Sequence, residues 1–545
     1  MDLIGSTARL LAAALLSCAL LTACGESADV TPQTSSPSVT VTTALTTPAP
    51  TVTTAIPTTA AVSTTVKLPE TTPTPETTET DEPITTPATS DTAKPVTTAP
   101  PVTSAPIAAA TTTVKPVTTV PMTTTTPPVT TPAQPETSLP ITTAPPPTET
   151  DCDREVLQHS DIKAMWLSQY DMTPIYTMDG VQRDRESYTA LVRSMLDNLT
   201  SMGFNTIFLQ VRPNADSMYP SDYYPMSKYV VGGYGTDAAY DPVAILVEEA
   251  HARGLSIHGW INPLRCMTVT EIASVDGRYP IRKWYDDKSL HGRYIVEYNG
   301  YYYLNPAYEE VRRLIADGVA ELLDQYAFDG LHMDDYFYPT TDPSFDAEAY
   351  ADYRREGGRE ELADFRRSRI DLLVRLLYGT VKAECDDLLY GISPACNLKT
   401  VYNVQYADLY NWCANDGYID YICPQVYTGF AHDSLDFISI CNTFNEMIGT
   451  DSVRLLIGMS LGKAYQGYDN WAGSGKYEWR DHKDILLRSL DYTDTLEHCI
   501  GVSVFCYQYF YDPLTGVAVQ ETAEEVANLL PLLKEISWKE EKPTE

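Results

Sequence analysis

Between residues 25 and 150 the chain has no tryptophan, tyrosine or phenylalanine and no sustained amphipathic pattern. A segment without large apolar side chains at helical or strand spacing cannot bury enough surface to offset the entropy lost on folding. Threonine, proline, alanine, valine and serine fill it instead, which predicts an extended, disordered Thr/Pro-rich linker over residues 24–150. Basic residues are also scarce: 38 Lys and Arg stand against 73 Asp and Glu, for a formal net charge of −35. So acidic a chain repels nucleic acid at long range, and no nucleic-acid partner is expected. None of the 11 cysteines is paired with another across a two-residue gap, so no metal site is expected, and no motif asks for a cofactor.

No apolar run reaches membrane-spanning length. The longest near the start, Leu10 to Leu21, follows Arg9 and falls short of the roughly 20 residues a spanning helix needs. Its layout predicts a secretory signal peptide over residues 1–23. Leu21-Thr22-Ala23-Cys24 resembles the lipobox of bacterial lipoproteins, which implies cleavage before Cys24, lipidation of that cysteine and anchoring to the outside of the cell membrane. An ordinary signal peptide that leaves a secreted protein is the alternative. With Cys18 and Cys24 assigned to the export signal, an odd number of cysteines remains. These read mostly as small core residues, compatible with a reducing habitat.

Residues 151–545 have the composition of a folded domain. Strand-like runs are predicted at 162–168, 204–213, 255–263, 328–335, 388–395, 418–427, 453–461 and 500–508. Helical patterns fall between and after them, at 187–202, 241–253, 307–325, 359–384, 403–414, 433–448, 480–497 and 518–536. Continuous apolar strands alternating with helices imply a parallel sheet buried on both faces. Eight such units predict an α/β fold, a (β/α)8 TIM barrel with long βα-loop insertions after the second, third and fourth strands. A doubly wound open sheet is the runner-up.

In such a barrel the loops after the strands form the active face, so polar residues at strand ends converge. The fourth strand, FDGLHMDDYFYP at 328–339, ends in Asp334 and Asp335, and strand periodicity places His332 and Asp334 on one face. Around this pair the sequence offers Arg212, Asp216, His258, Trp260, Asn262, Arg265, Tyr338, Asn397, Gln425 and Tyr427. Singly, each has an ordinary structural reading: His258 as a hydrogen-bonded core histidine, Trp260 as packing. Together, amides, arginines and flat rings around a carboxylate pair suit sugar hydroxyls and pyranose C–H faces, so a polysaccharide or oligosaccharide partner is expected.

The ordered motifs FLQVRPNADSMYPSDYYPMSKY, YDPVAILVEEAHARGLSIHGWINPLR, LNPAYEEVRRLIADGVAELLDQYAFDGLHMDDYFYP, YGISPACN and IDYICPQVY resemble the bacterial glycosyl-hydrolase-like family 10 lipoproteins over roughly residues 160–510. The resemblance implies a TIM-barrel glycosidase outside the cytoplasm, with some members similar to enzymes that cut peptidoglycan glycan strands after their peptides are removed. DGLHMDD also resembles the amylase-type fourth strand, which implies that His332 and Asp334 face the barrel mouth. The chain departs from that pattern in having histidine for arginine and Gln425 where a carboxylate is expected. Glycoside hydrolysis by carboxyl groups needs an acid and an ionised partner. Asp334 is expected to be the ionised partner, held charged by Arg212 and His332. The acid is expected among Asp335, Asp216 and Glu297, in that order. The remaining residues are expected to bind sugar. A glycan-binding barrel without catalysis and a transglycosylase are the competing readings.

Overall fold

The structure, a computed structural model, describes residues 152 and 154–538. The signal peptide, Cys24 and the linker of the sequence analysis lie outside the described residues.

Eight parallel strands close into a barrel in which β1 (Ile162–Leu167) pairs with both β2 (Thr206–Arg212) and β8 (Cys499–Phe505). The circuit between them runs through β3 (Ser256–Ile261), β4 (Gly330–Met333), β5 (Leu389–Ile392), β6 (Tyr421–Ile422) and β7 (Arg454–Ser460). After the strands come α1 (Arg185–Met202), α2 (Pro242–His251), α3 (Glu309–Gln325), α4 (Leu362–Glu384), α5 (Leu409–Ala414), α6 (Phe437–Met447), α7 (Ile485–Thr493) and α8 (Ala523–Glu535). A closed barrel leaves no strand edge unpaired, which settles the choice between barrel and open sheet.

Two predicted elements differ in extent. The helix expected at 403–414 is broken into Leu398–Asn403 and α5, because Tyr406 at the break takes a left-handed φ of 58°. The sixth strand is shorter than expected, since Pro424 has no N–H to donate. Gln425 rejoins the sheet only through isolated bridges to Ala395 and Gly458. The long connection after β3 folds into a three-stranded antiparallel sheet of Arg265–Thr268, Ile295–Tyr298 and Tyr301–Leu304. Its hairpin turns at Asn299 and Gly300, both at positive φ.

Inside the barrel the packing is aromatic and polar at once. His332 stacks on Phe208 with ring centroids 4.0 Å apart. Its two ring nitrogens bond to the hydroxyls of Tyr421, at 2.8 Å, and Ser393, at 2.9 Å. His258 reaches the same Tyr421 hydroxyl at 2.9 Å. The Tyr421 ring fits only because residue 391 is glycine: a Cβ there would stand 2.0 Å from it.

Two clamps hold the outer parts. Cys152 forms a disulfide with Cys385, at the end of α4, across a sequence separation of 233. The chain beyond it runs under the barrel, where Arg154 donates to the carbonyls of Leu323 and Tyr326 and Asp329 accepts from the backbone N–H of Leu157. Cys152 and Cys385 are the exception to the reading of the cysteines as core residues, a partnership hidden by the odd cysteine count and the distance in sequence. The other seven described cysteines are free and buried, as expected of core residues. The second clamp fixes the connection after β4. Arg366 on α4 pairs with Asp346 at 2.6 Å, both side chains fully buried, and donates to the carbonyls of Thr340 and Asp342.

Cys152→Ser is expected to lower the unfolding free energy by about 2–4 kcal/mol in denaturant titration, through release of a long closed loop. Arg366→Ala is expected to cost more, about 3–5 kcal/mol, because it strands the buried Asp346 carboxylate.

Candidate functional site

At the C-terminal mouth of the barrel the strand ends enclose a cleft. Its walls are Trp166, Ser168, Gln169 and Tyr170 from β1 and its connection, and Gln210 from β2. Trp260, Asn262 and Arg265 come from β3 and its loop, Asp334, Asp335 and Tyr336 from β4, Gln425 and Tyr427 from the sixth unit, and Phe505 from β8. Asp334 and Asp335 are the only carboxyl groups among these residues, and Arg265 is the only cation.

β4 ends at Met333, so both aspartates sit on the turn beyond it and pleating no longer separates them. The Asp335 backbone N–H donates to Asp334 Oδ1 at 2.8 Å, and Gln425 Nε2 donates to the same oxygen at 3.1 Å. Gln425 is held in turn by the Ser393 carbonyl at 3.0 Å. The two carboxyl groups also share a side-chain hydrogen bond. Burial, followed by the like charge of Asp335, pushes Asp334 well above the ordinary carboxylate range. Burial raises Asp335 as well, opposed by its hydrogen bonds with Asp334 and Gln425. Both carboxyls are thus pushed toward their protonated forms, Asp334 the more strongly. The direction of the shift on Asp334 runs against the expectation that it carries the charge.

The rest of the wall is polar at the rim and aromatic at the floor. Gln210 donates to Asn262 Oδ1 at 3.3 Å and accepts from the Gln169 N–H at 2.8 Å, which ties β1, β2 and β3 together. Trp166 packs edge-on against Trp260, with centroids 4.7 Å apart, and donates its indole N–H to Ser503 at 2.9 Å. Arg265 lies over the rings of Tyr336 and Tyr301, at 5.0 and 5.7 Å. Its positive charge draws both aspartates down, against the larger effect of burial.

Of the residues expected at the site, Asp334, Asp335, Trp260, Asn262, Arg265, Gln425 and Tyr427 are brought together here. The others are placed elsewhere. Arg212 is turned outward by a β-bulge: Gln210 pairs with Trp260, but Arg212 pairs with Ile261, so an extra residue reverses its face. Its guanidinium lies 4.7 Å from the Tyr224 ring and borders Gly318 of α3. His332 and His258 do face the barrel axis, but below the floor of the cleft. Burial keeps His332 neutral and pushes His258 down to about 4, so neither histidine holds Asp334 charged. Asp216 is buried in its own loop, where it accepts from the Asn214 N–H at 2.8 Å and the Tyr234 hydroxyl at 2.9 Å. Glu297 is exposed on the hairpin. Tyr338 packs against Arg366, and Asn397 caps the helix Leu398–Asn403 by accepting from the Thr400 N–H.

Sequence reasoning passed over the end of the first strand, WLSQY, which supplies four wall residues. The available signal was the polar pair Ser168-Gln169 directly after an apolar strand. Ser168 caps the helix Gln169–Tyr176 in a capping box with Asp171, whose other oxygen accepts the Gln508 N–H at 2.7 Å. Tyr336 and Phe505 were also passed over, since an aromatic residue at a strand end looks like core.

Comparison with known proteins agrees with this geometry. The family model described as glycosyl hydrolase-like 10 matches residues 161–470. Glycosyl hydrolase YngK of Bacillus subtilis is 30% identical over 338 residues, which cover 58% of this chain and 64% of that protein, just under two thirds of its length. Glycosyl hydrolase DigH of Escherichia coli K12 is 27% identical over 387 residues, 66% of this chain and 85% of the relative. Among solved structures, the PgaB (BpsB) glycoside hydrolase domain from Bordetella bronchiseptica aligns with a TM-score of 0.44 at 13% identity, covering 68% of this chain and 99% of that one. The curated relatives carry the name glycosyl hydrolase, and the chain belongs to the glycosyl hydrolase-like 10 family.

Proposed function

We propose that the protein hydrolyses glycosidic bonds in peptidoglycan glycan strands whose peptides have been removed, outside the cytoplasm and tethered through Cys24. One observation carries the catalytic reading: two adjacent carboxyl groups, both raised by burial and linked through the Asp335 N–H, stand at the barrel mouth among rings that suit sugar faces. A carboxyl group that keeps its proton at neutral pH is an acid able to protonate a departing glycosidic oxygen. Trp260 and Tyr427 offer surfaces for pyranose rings, and Asn262 and Gln210 offer amides for hydroxyls.

The substrate reading rests on charge. Removing the peptides leaves a free lactyl carboxylate on each muramic acid, and Arg265 is the cation that can meet it. The location outside the cytoplasm is supported by the Cys152–Cys385 disulfide, a bond that persists in oxidising surroundings. A non-catalytic glycan-binding barrel is the second reading, because no further carboxyl group lines the cleft among the described residues.

Incubating the protein with peptide-free peptidoglycan strands and with neutral polysaccharides such as amylose and xylan tests this directly. The expected result is new reducing ends from the former only; glycan binding with no new ends would leave the binding reading. A product pattern of re-linked strands would instead mark a transglycosylase. Asp334→Asn and Asp335→Asn are each expected to lower kcat by roughly 10²–10⁴-fold while glycan binding persists. Arg265→Ala is expected to raise KM for the anionic strands and leave it unchanged for uncharged oligosaccharides of N-acetylglucosamine.

The pH dependence has a definite sign. If the active form is the singly protonated pair, activity rises as the first proton leaves and falls as the second does. Both limbs should lie above the ordinary aspartate value of 3.8, since both members are raised. Asp334 binds its proton more tightly folded than unfolded, so its contribution to stability is present at low pH and is lost as pH rises through its elevated value. Asp334→Asn removes that loss, and its melting temperature at neutral pH is expected to equal or exceed the wild type.

A further inference from the structure

Hydrolysis by two protein carboxyl groups places them about 5–5.5 Å apart for retention or about 6.5–9.5 Å apart for inversion, on opposite sides of the scissile bond. Asp334 and Asp335 fit neither arrangement. They are consecutive, hydrogen-bonded to each other and both engaged with Gln425, so they approach a bound sugar from one side. No other carboxyl group lines the cleft among the described residues. The nearby Asp171 is occupied by Ser168 and the Gln508 N–H and lies behind the wall. Among the described residues the cleft thus holds an acid and a second carboxyl beside it, but no further carboxyl group to act as nucleophile or base opposite.

We propose that the missing nucleophile is the carbonyl oxygen of the substrate's own 2-acetamido group, so that the cleft acts on β-linked 2-acetamido sugars with retention of configuration. This inference rests on the glycosidase reading above and narrows it to a substrate class and a mechanism. Asp334 is the more buried of the pair and is oriented by Gln425 and the Asp335 N–H, which suits it to accept the acetamido N–H. Accepting that bond favours its charged form, and the shared proton passes to Asp335, which is closer to solvent and to a leaving group.

The acetamido oxygen then attacks C1, the bond from C1 to the glycosidic oxygen breaks, and Asp335 gives that oxygen its proton. The resulting oxazolinium is positively charged at its N–H, directly against the Asp334 carboxylate. Water next attacks C1 from the vacated side and returns its proton to Asp335, and the bond from C1 to the oxazoline oxygen breaks. The acetamide is restored and the product keeps the β configuration.

The floor suits such a group. Trp166, Trp260, Tyr427 and Phe505 form an apolar surround for a methyl. The Trp260 indole N–H is buried and has no hydrogen-bond partner among the described residues.

The test uses the whole protein and two preparations of peptide-free strands, one native and one chemically de-N-acetylated. Native strands should be cut with β-anomeric products seen first by NMR. De-N-acetylated strands should be cut at least ~100-fold more slowly, the low end of what a positioned catalytic group contributes. A thiazoline analogue of the oxazoline should inhibit competitively. With an aryl β-glycoside of an N-acetylated disaccharide, whose leaving group needs little protonation, Asp335→Asn should recover most of the lost rate of aryl release in the first turnover and Asp334→Asn should not. Cleavage of native strands with inversion, or equal cleavage of both preparations, overturns this inference and spares the glycosidase reading. No cleavage of either preparation overturns both.

Discussion

Two carboxyl groups held in hydrogen-bond contact in a poorly hydrated mouth cannot both be charged. Bringing them together costs free energy that the fold supplies elsewhere, and it pushes both carboxyls toward their protonated forms. The surroundings are arranged around that constraint. Gln425 stands where a third carboxylate would have driven the pair further from neutrality, and as an amide it can donate to one member without adding charge. Arg265 lowers the burden in part, from behind two tyrosine rings that also hold it in place. A pair drawn toward protonation suits a cleft with no further carboxyl group lining it among the described residues, and the proposed participation of a substrate amide is built on that same gap.

Beneath the pair the barrel is built to stay still. Two histidines, a tyrosine, serines and a phenylalanine fill the axis with satisfied hydrogen bonds and stacked rings, and burial keeps the histidines neutral. A neutral floor leaves the aspartates as the groups that titrate at the mouth. The connection that follows them is pinned by the Arg366–Asp346 pair, which has no exposure to water and reaches across to Tyr406 at the break before α5. Chemistry at the end of β4 therefore depends on contacts made by α4, a helix with no residue in the cleft.

The eight strands were legible because each is an apolar run ending in polar residues, and parallel strands buried on both faces write that pattern strongly. Which strand-end residues reach the cleft was less legible. Strand-end position put Arg212 among the expected cleft residues, and one extra residue in β2, invisible without pairing partners, sent it to the outer layer. His258 and His332 were placed correctly toward the axis, but depth along a strand is not a property of its alternation, and both lie too low. Asp216 looked like a third acid and is a loop organiser, satisfied by backbone and Tyr234. The end of β1 was overlooked because its wall residues are a tryptophan and a cap. The disulfide was hidden by 233 residues of intervening chain.

The proton shared by Asp334 and Asp335 is the central claim, and carboxyl carbon NMR titration of the two side chains addresses it most directly. The account predicts two linked steps for the pair, the higher far above the ordinary aspartate value of 3.8, with that step moving down when either partner is replaced by asparagine. Two independent titrations near the ordinary value, unaffected by replacing the neighbour, would contradict it.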